Sequence, residues 1–235
     1  MENHKIKAAF SRLSTPLIAD ACVRLGLDLH MAPPGLRPLV PGWRAAGRAL
    51  PARHYGSVDV FFEAIEKAQP GDVLVVDNGG RSDEGCVGDL TALEALQAGL
   101  SGIVIWGAHR DTTELAQLGF PVFSYGTCPA GPRRLDSRPP NSLETARLGD
   151  VWVGPDDVVF ADDDGALFVP GQRVEVLLEI AESIWQKERA QAEKVRVGTS
   201  LREQLRFGEY LHARSNNPSY TFRQHLRSLG GAIEE

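Results

Sequence analysis

Three charged residues near the middle of the chain, Asp89, Arg110 and Asp111, have types and a spacing that could build a catalytic site. Asp89 follows the glycine loop Gly85 to Gly88, and twenty residues separate it from the Arg110-Asp111 pair. Carboxylates bind Mg²⁺ or Mn²⁺ through oxygen, and a guanidinium group can hold a carboxylate by two parallel hydrogen bonds. These residues therefore predict a site for a hard divalent metal and an anionic substrate.

Each of these residues also has an ordinary structural interpretation, which the sequence alone leaves open. Asp89 stands where an acidic residue often caps a helix, and Arg110-Asp111 could be a surface ion pair. Their joint placement after glycine-flanked loops favours the functional interpretation. The loop before Asp89 leads into a predicted helix N-terminus, which suits a carboxylate or phosphate. It lacks the glycine spacing and the lysine of nucleotide-binding loops, so we do not expect a nucleotide.

Two further patterns are weaker candidates. His109 could act as a base or a ligand, although packing beside a strand end is the commoner role of such a histidine. The run from Asp162 to Asp164, followed by Gly165, resembles a cation site but is more typical of a solvated turn between strands. None of the five lysines ends an apolar strand, so a lyase built on this chain is expected to use a metal and not an imine.

The elements predicted around the three charged residues alternate between strands and helices. Short apolar runs at residues 73–76, 102–106 and 122–124 predict buried strands. Apolar periodicity predicts helices over residues 89–98 and 112–118. This alternation indicates an α/β fold, with the site in the loops at the carboxyl ends of the strands.

The flanking segments predict further elements. Thr15 is the expected N-cap of a helix over residues 15–25. The segment 30–51 holds five prolines and three glycines, so we expect irregular chain with short strands there. Short strands are predicted between residues 151 and 169, followed by a long charged helix over residues 173–196.

Composition places the chain among ordinary soluble globular proteins, with 235 residues and 43% hydrophobic content. A net charge of −6 argues against a nucleic-acid-binding surface. The sequence contains no leader or apolar span, which predicts a cytoplasmic protein that does not bind membranes. We expect one domain over residues 1–200 and a tail over residues 201–235. The tail is aromatic, which predicts that it packs on the domain or on a neighbouring subunit.

The segments PGDVLVVD, GCVGDL, GIVIWGAHRDTTEL and PDDVVFADDDGALFVP together carry a resemblance to a known family. They resemble the RraA-like family, which includes the 4-hydroxy-4-methyl-2-oxoglutarate / 4-carboxy-4-hydroxy-2-oxoadipate aldolases. The resemblance covers roughly residues 13–198. It implies a layered α/β/β sandwich of the swivelling-domain type, with a long C-terminal helix and tail.

The resemblance also implies a class II pyruvate aldolase that cleaves a 4-hydroxy-2-oxo acid and decarboxylates oxaloacetate as a side activity. Asp111 would ligate Mg²⁺ or Mn²⁺, with waters completing the coordination. Arg110 would contact the substrate's carboxylate or keto oxygen. Asp89 would hold a metal-bound water or take part in proton transfer. Backbone amides of Gly85, Gly88 and Leu90 would receive the 2-oxo acid.

The same resemblance implies an oligomer, because family members form trimers or hexamers with active sites between subunits. A glutamate from a neighbouring subunit's C-terminal helix would complete the site. Glu188 is our choice for that glutamate, with Glu193 as the alternative in another register. The apolar residues of the segment 173–196 independently predict a partner surface. We therefore expect a homotrimer or a homohexamer.

The sequence is also compatible with two other functions. The family includes members that bind and inhibit ribonuclease E, so the chain could be a non-catalytic regulator. A metal-dependent lyase or dehydratase acting on a sugar-derived 2-oxo acid would need the same chemistry. Trp106 and the His109-Arg110 pair depart from the best-studied aldolases, which points to a different substrate.

Overall fold

The computed structural model describes residues 1–229, which contain ten strands and nine α-helices. The strands are β1 (His30–Met31), β2 (Arg37–Pro38), β3 (Ala45–Arg53), β4 (Val73–Val87), β5 (Gly102–His109), β6 (Val122–Ser124), β7 (Ala146–Leu148), β8 (Val151–Val153), β9 (Asp157–Asp162) and β10 (Gly165–Pro170). The helices are α1 (Asn3–Phe10), α2 (Thr15–Arg24), α3 (Asp59–Glu66), α4 (Asp89–Gln97), α5 (Thr112–Leu118), α6 (Val174–Arg196), α7 (Leu201–Gln204), α8 (Phe207–Asn216) and α9 (Phe222–Leu229). A 3-10 turn, Gly171–Arg173, leads into α6.

Eight of these strands form one mixed sheet in the order β1-β10-β9-β3-β4-β5-β6-β2, and β7 and β8 form a separate hairpin. Strands β3 to β6 pair in parallel, whereas β9 and β10 pair antiparallel to their neighbours. Strand β3 belongs to both the parallel and the antiparallel part of the sheet, because residues 45–48 pair with β9 and residues 49–53 pair with β4. The predicted α/β fold with a long C-terminal helix is confirmed.

Three apolar clusters show how this sheet is layered. Alternate side chains of a strand point to opposite faces, and on β4 Leu74 packs in a cluster with α3, α4 and α5. Val75 packs in a second cluster that includes Val159 of β9. The other face of β9, with Phe160, packs against α1, α2 and α6. The layers therefore follow the order helices, parallel strands, antiparallel strands, helices. This matches the predicted α/β/β sandwich, with one further layer of helices.

Two local predictions need correction, one at Thr15 and one at Asp162. Ser14, not Thr15, is the N-cap of α2. Thr15 instead donates two hydrogen bonds to the Asp162 carboxylate, from its backbone N–H at 2.8 Å and its hydroxyl at 2.6 Å. Asp162 is buried, so the expected solvated turn is limited to Asp163 and Asp164, which are exposed.

The expectation of irregular chain over residues 30–51 is also wrong for its last part, where the nine-residue strand β3 begins. Gly47 allows close approach, since a Cβ there would overlap the carbonyl oxygen of Gly71. Pro51 lies where β3 pairs with β4 alone. The N–H of Arg53, two residues on, bonds to Ser142, so the nitrogen of Pro51 also faces away from β4. Its missing N–H therefore removes no bond from the ladder.

The predicted tail folds into the helices α7 to α9 as far as Leu229, and residues 230–235 lie outside the described residues. Phe207, Tyr210 and Phe222 form an aromatic cluster. The amide of Gln204 donates to the carbonyl of Gln191, which ties the tail to α6. Whether the tail also contacts a neighbouring subunit stays a prediction. Among α1 to α9, no helix has both the length and the apolar character needed to cross a membrane.

Candidate active site

The structure brings Asp89, Arg110 and Asp111 together at the carboxyl ends of β4 and β5. Asp89 is the first residue of α4, and the Arg110-Asp111 pair links β5 to α5. The backbone N–H of Arg110 donates to the carbonyl of Val87 at 2.9 Å, so the two loops are joined through their main chains. The backbone N–H of Asp89 and the Nε of Arg110 both donate to Asp111 Oδ2, at 3.3 and 3.2 Å.

Asp111 has an unusual backbone conformation. Its φ of 58° and ψ of 43° lie in the left-handed region, which costs a residue other than glycine about 1 kcal/mol but is tolerated best by Asp and Asn. Within residues 1–229 only Asp111 and Arg206 have positive φ without being glycine. Such conformations concentrate at functional sites. Here the conformation turns the carboxylate back toward the start of α4 while leaving 32% of the side chain exposed.

Glycines make room for this pair. Gly88 has an ordinary extended backbone, but a Cβ there would overlap Asp111 Oδ2 and lie 3.1 Å from Arg110 Nε. A Cβ on Gly85 would lie 2.8 Å from Arg110 Cβ, and one on Gly131 would lie 2.8 Å from Arg110 Nη1. The loop glycines thus permit the close approach of Arg110-Asp111 itself. Gly131 could not be assigned to the site from the sequence, because it contacts Arg110 from a loop twenty residues further along the chain.

His109 is a buried packing residue, as the commoner interpretation of the sequence has it. Its Nδ1 lies 2.7 Å from Ser124 Oγ and its Nε2 lies 3.1 Å from Thr112 Oγ1. Burial lowers the pKa of His109 below its ordinary value, so the ring is neutral near pH 7. Two hydroxyl groups therefore fix the ring at the end of β5, directly before Arg110. Neither hydroxyl could be paired with His109 from the sequence, because they lie on β6 and α5.

The donor set fits a metal that is held mostly by water. The described residues contain no group of three or more His, Cys, Asp or Glu side chains placed to hold a metal ion. Mg²⁺ commonly binds one or two carboxylates and keeps several waters, so Asp111 with Asp89 nearby would be sufficient. Asp111 Oδ2 is held by two N–H donors, which orients the carboxylate and leaves Oδ1 to act as a ligand. Carboxylate oxygens suit Mg²⁺ or Mn²⁺ better than soft metals.

Within one subunit, the two candidates for the trans glutamate pair with arginines of their own helix. Glu188 lies on α6 and pairs with Arg189 at 3.8 Å, and Glu193 pairs with Arg196 at 3.3 Å. Neither glutamate makes a hydrogen bond or ion pair with Asp89, Arg110 or Asp111 in the described part of the chain. A role for Glu188 in the site of a neighbouring subunit stays a prediction.

One side of the site is open in the single subunit. The side chain of Arg110 is 46% exposed, and Leu90, next to Asp89, is 71% exposed. Leu90, Leu93 and Leu96 gave the apolar periodicity that predicted α4, yet all three are exposed. The helix buries Thr91, Ala92 and Ala95 instead, because small side chains let it lie close to the sheet. The leucines form an apolar surface beside the site, of the kind that marks interfaces.

Comparison with known proteins identifies relatives of this arrangement. A family model described as RraA-like, Aldolase/RraA, matches residues 15–168. Protein DlpA of Legionella pneumophila is 31% identical over 168 residues, which are 67% of this chain and 26% of DlpA. A protein of Laribacter hongkongensis named "Putative 4-hydroxy-4-methyl-2-oxoglutarate aldolase" is 30% identical over 162 residues, which are 66% of this chain and 96% of that protein.

A solved structure shares the fold. It is RraAS2 of Streptomyces coelicolor, described as an unusual member of the RNase ES inhibitor RraA protein family. It matches with a TM-score of 0.69 and 29% sequence identity, over 79% of this chain and 94% of RraAS2. The alignments with the first curated relatives span between 26% and 65% of those proteins' own length.

Proposed function

The chain belongs to the RraA-like family, and on that premise we propose that it is a divalent-metal-dependent aldolase that releases pyruvate from a 4-hydroxy-2-oxo acid. The observation that supports this most is the convergence of Asp89, Arg110 and Asp111, with the Asp111 carboxylate fixed by two N–H donors. The name of the Laribacter relative supports the same class of reaction.

The substrate's carboxylate is assigned to Arg110. Its Nε is engaged by Asp111, so its two Nη groups are left to hold the carboxylate by parallel hydrogen bonds. The N-terminus of α4 adds positive potential on the same side, although the N–H groups of Gly85 and Leu90, which were expected to receive the 2-oxo acid, already bond to the Ala130 carbonyl and to Asp89 Oδ1. Asp111, helped by Asp89, would hold the metal. A bound Mg²⁺ or Mn²⁺ supplies Lewis-acid stabilisation of the negative charge that develops on the keto oxygen.

Proton transfer is assigned to Asp89. Cleavage between C3 and C4 needs a base that removes the proton of the 4-hydroxyl group, so that a carbonyl product can leave. The electron pair of the broken bond then resides on the pyruvate fragment until C3 takes up a proton. The Oδ1 of Asp89 accepts a hydrogen bond from Leu90 N–H at 2.7 Å, which fixes this carboxylate at the edge of the site and leaves Oδ2 to accept the proton, directly or through a water.

Metal removal tests this function. We expect purified protein to release pyruvate from 4-hydroxy-4-methyl-2-oxoglutarate, 4-carboxy-4-hydroxy-2-oxoadipate or a sugar-derived 2-oxo acid, and from oxaloacetate. EDTA should reduce release to the uncatalysed rate, and excess Mg²⁺ or Mn²⁺ should restore it. The measurement is a coupled lactate dehydrogenase assay, with added pyruvate as the control for the coupling enzyme. Release that survives EDTA, or no release from any substrate with either metal, contradicts the proposal.

A regulator of a ribonuclease is the second candidate function. The exposed leucines of α4 favour it, and RraAS2 is described as belonging to a family of RNase ES inhibitors. An Asp111→Ala variant separates the two functions, because an enzyme loses turnover while a binding protein keeps its partner. Inhibition of a ribonuclease that survives this substitution, together with no turnover by the unaltered protein, would favour the regulator.

We also propose that the chain assembles as a homotrimer or homohexamer in which Glu188 completes a neighbour's site. Glu188→Gln is expected to lower activity by about 10- to 100-fold, the usual effect of losing a group that supports a metal site. Glu193→Gln is the matched control on the same helix, and the reverse pattern would shift the register to Glu193. Sedimentation equilibrium measures the assembly. A monomer with full activity at micromolar concentration contradicts a shared site.

A further inference from the structure

A cavity of about 390 Å³ lies at the carboxyl end of β3 and beside the middle of β4. Four arginines line it, Arg53, Arg81, Arg134 and Arg147, against a single carboxylate in the lining, Asp77. The glycine loop and the Arg110-Asp111 pair are not part of its wall. The volume lies within the range of small-molecule sites. The wall of the cavity therefore shares no residue with the Asp89, Arg110 and Asp111 cluster, and it is rich in arginine.

The acidic groups around the cavity pair with three of the four guanidinium groups. Buried Glu84 pairs with Arg134 at 3.0 Å and with Arg81 at 3.6 Å, while Asp77 pairs with Arg53 at 3.6 Å. Exposed Asp83 and Asp136 also pair with Arg81 and Arg134, although exposed pairs contribute little.

The fourth arginine, Arg147, has no acidic partner in the part of the chain that the structure describes. Its side chain makes no hydrogen bond or ion pair there. Its backbone N–H donates to Asp77 Oδ2 at 3.1 Å, which anchors the main chain at the cavity. The exposed guanidinium group at the rim is thus available to an anion.

The other cationic groups are held in place before any ligand arrives. Arg134 donates to Asn78 Oδ1 at 2.9 Å, and Arg53 donates to Asn141 Oδ1 at 3.0 Å. The Arg53 guanidinium also lies 5.7 Å from the centre of the Trp152 ring. Binding to groups that are already positioned loses less conformational entropy than binding to free side chains.

Two buried nitrogen atoms in the wall, His54 Nε2 and Asn78 Nδ2, have no hydrogen-bond partner among residues 1–229. The Nδ2 of Asn78 makes no hydrogen bond to any residue from 1 to 229, although its Oδ1 is used by Arg134. Buried polar groups in proteins are nearly always paired. Because both atoms are themselves inaccessible to solvent, a ligand in the adjoining cavity reaches them only if the wall moves.

From this geometry we propose that the cavity binds a small polyanion, a molecule carrying two or more carboxylate or phosphate groups within its span. Clustered anionic oxygens satisfy several guanidinium groups at once, whereas one isolated carboxylate would engage Arg147 alone. Trp152 is 53% exposed and pairs across the β7–β8 hairpin with Arg147. Its indole therefore lies at the mouth of the cavity, where occupancy will change its fluorescence.

Titration with two probes tests the proposal. Trisodium citrate represents polycarboxylates and sodium pyrophosphate represents phosphates, each titrated by calorimetry and tryptophan fluorescence in buffer free of divalent metals. We expect at least one probe to bind with a Kd below about 1 mM, with a fluorescence change that is lost in Trp152→Phe. Binding of citrate alone, of pyrophosphate alone or of both identifies the kind of anionic group that the cavity accepts.

Matched arginine variants locate the binding. Arg147→Gln should weaken it by about tenfold or more, the loss of one charged hydrogen bond. Its exposed side chain makes no contact that folding requires. Arg133→Gln, an exposed arginine outside the cavity wall, and Arg110→Gln at the candidate active site should each leave binding within twofold. The proposal is overturned if neither probe binds, if Arg147→Gln binds normally, or if Arg110→Gln abolishes binding.

Discussion

Replacing Asp111 by asparagine is expected to lower pyruvate release by about 10²- to 10³-fold, the effect typical of removing one group that stabilises transition-state charge. Asparagine has nearly the same shape and can still accept one hydrogen bond from the backbone N–H of Asp89. The substitution removes the negative charge that would hold the metal and orient Arg110. Because the side chain is partly exposed, the fold should be retained. Activity and far-UV circular dichroism are measured on the same preparation.

The matched control for this variant is Asp150→Asn, an exposed carboxylate in the turn between β7 and β8, which should keep full activity. Excess Mn²⁺ is expected to rescue Asp111→Asn only in part. If the variant turns over at the normal rate, Asp111 is not the metal ligand. If it is inactive because it is unfolded, circular dichroism reports that directly, and Asp111→Glu then tests the carboxylate with its charge retained.

Gly88→Ala is expected to have an effect of similar size for a different reason. The backbone of Gly88 is extended, so alanine meets no conformational strain there. Its Cβ would overlap Asp111 Oδ2, so the carboxylate must move or the loops must separate. A displacement of about 1 Å can cost about 100-fold in rate, and overpacking typically costs about 1–3 kcal/mol in the free energy of unfolding. A steady-state assay and urea denaturation measure the two effects.

Gly208→Ala is the control for that substitution. Gly208 lies in α8, and a Cβ there meets no atom within 4 Å, so activity should be unchanged and stability equal or slightly higher. A Gly88→Ala protein with normal activity would mean that the carboxylate is free to move. The fixed orientation of the Asp111 carboxylate would then not be needed for activity.

Local patterns predicted much of the site. Apolar runs identified the strands at residues 73–76 and 102–106, and periodicity identified α4. The rule that loops meet at the carboxyl ends of parallel strands then placed Asp89 beside Arg110-Asp111. These inferences succeeded because each depends on neighbours within one or two elements.

Contacts between distant parts of the chain could not be predicted in this way. Thr15 bonds to Asp162 across 147 positions, and Arg134 reaches Glu84 across 50. Such pairs cannot be predicted from local periodicity, because they depend on how whole layers pack against each other. The buried face of α4 could not be predicted for the same reason, because the leucines that define its periodicity are not the residues that it buries. The position of Glu188 relative to a site depends on another subunit and stays a prediction.

The pairing of β3 with both β4 and β9 has a consequence for synthesis on the ribosome. Its second half pairs with β4, where Ala49 meets Val73, and this partner emerges almost at once. Its first half must wait for β9, since Ala45 meets Ala161, 116 residues later. At about 5–20 residues per second, that edge of the nascent sheet stays unpaired for on the order of ten seconds. An unpaired edge can recruit other chains, so slow translation through the C-terminal half should favour aggregation.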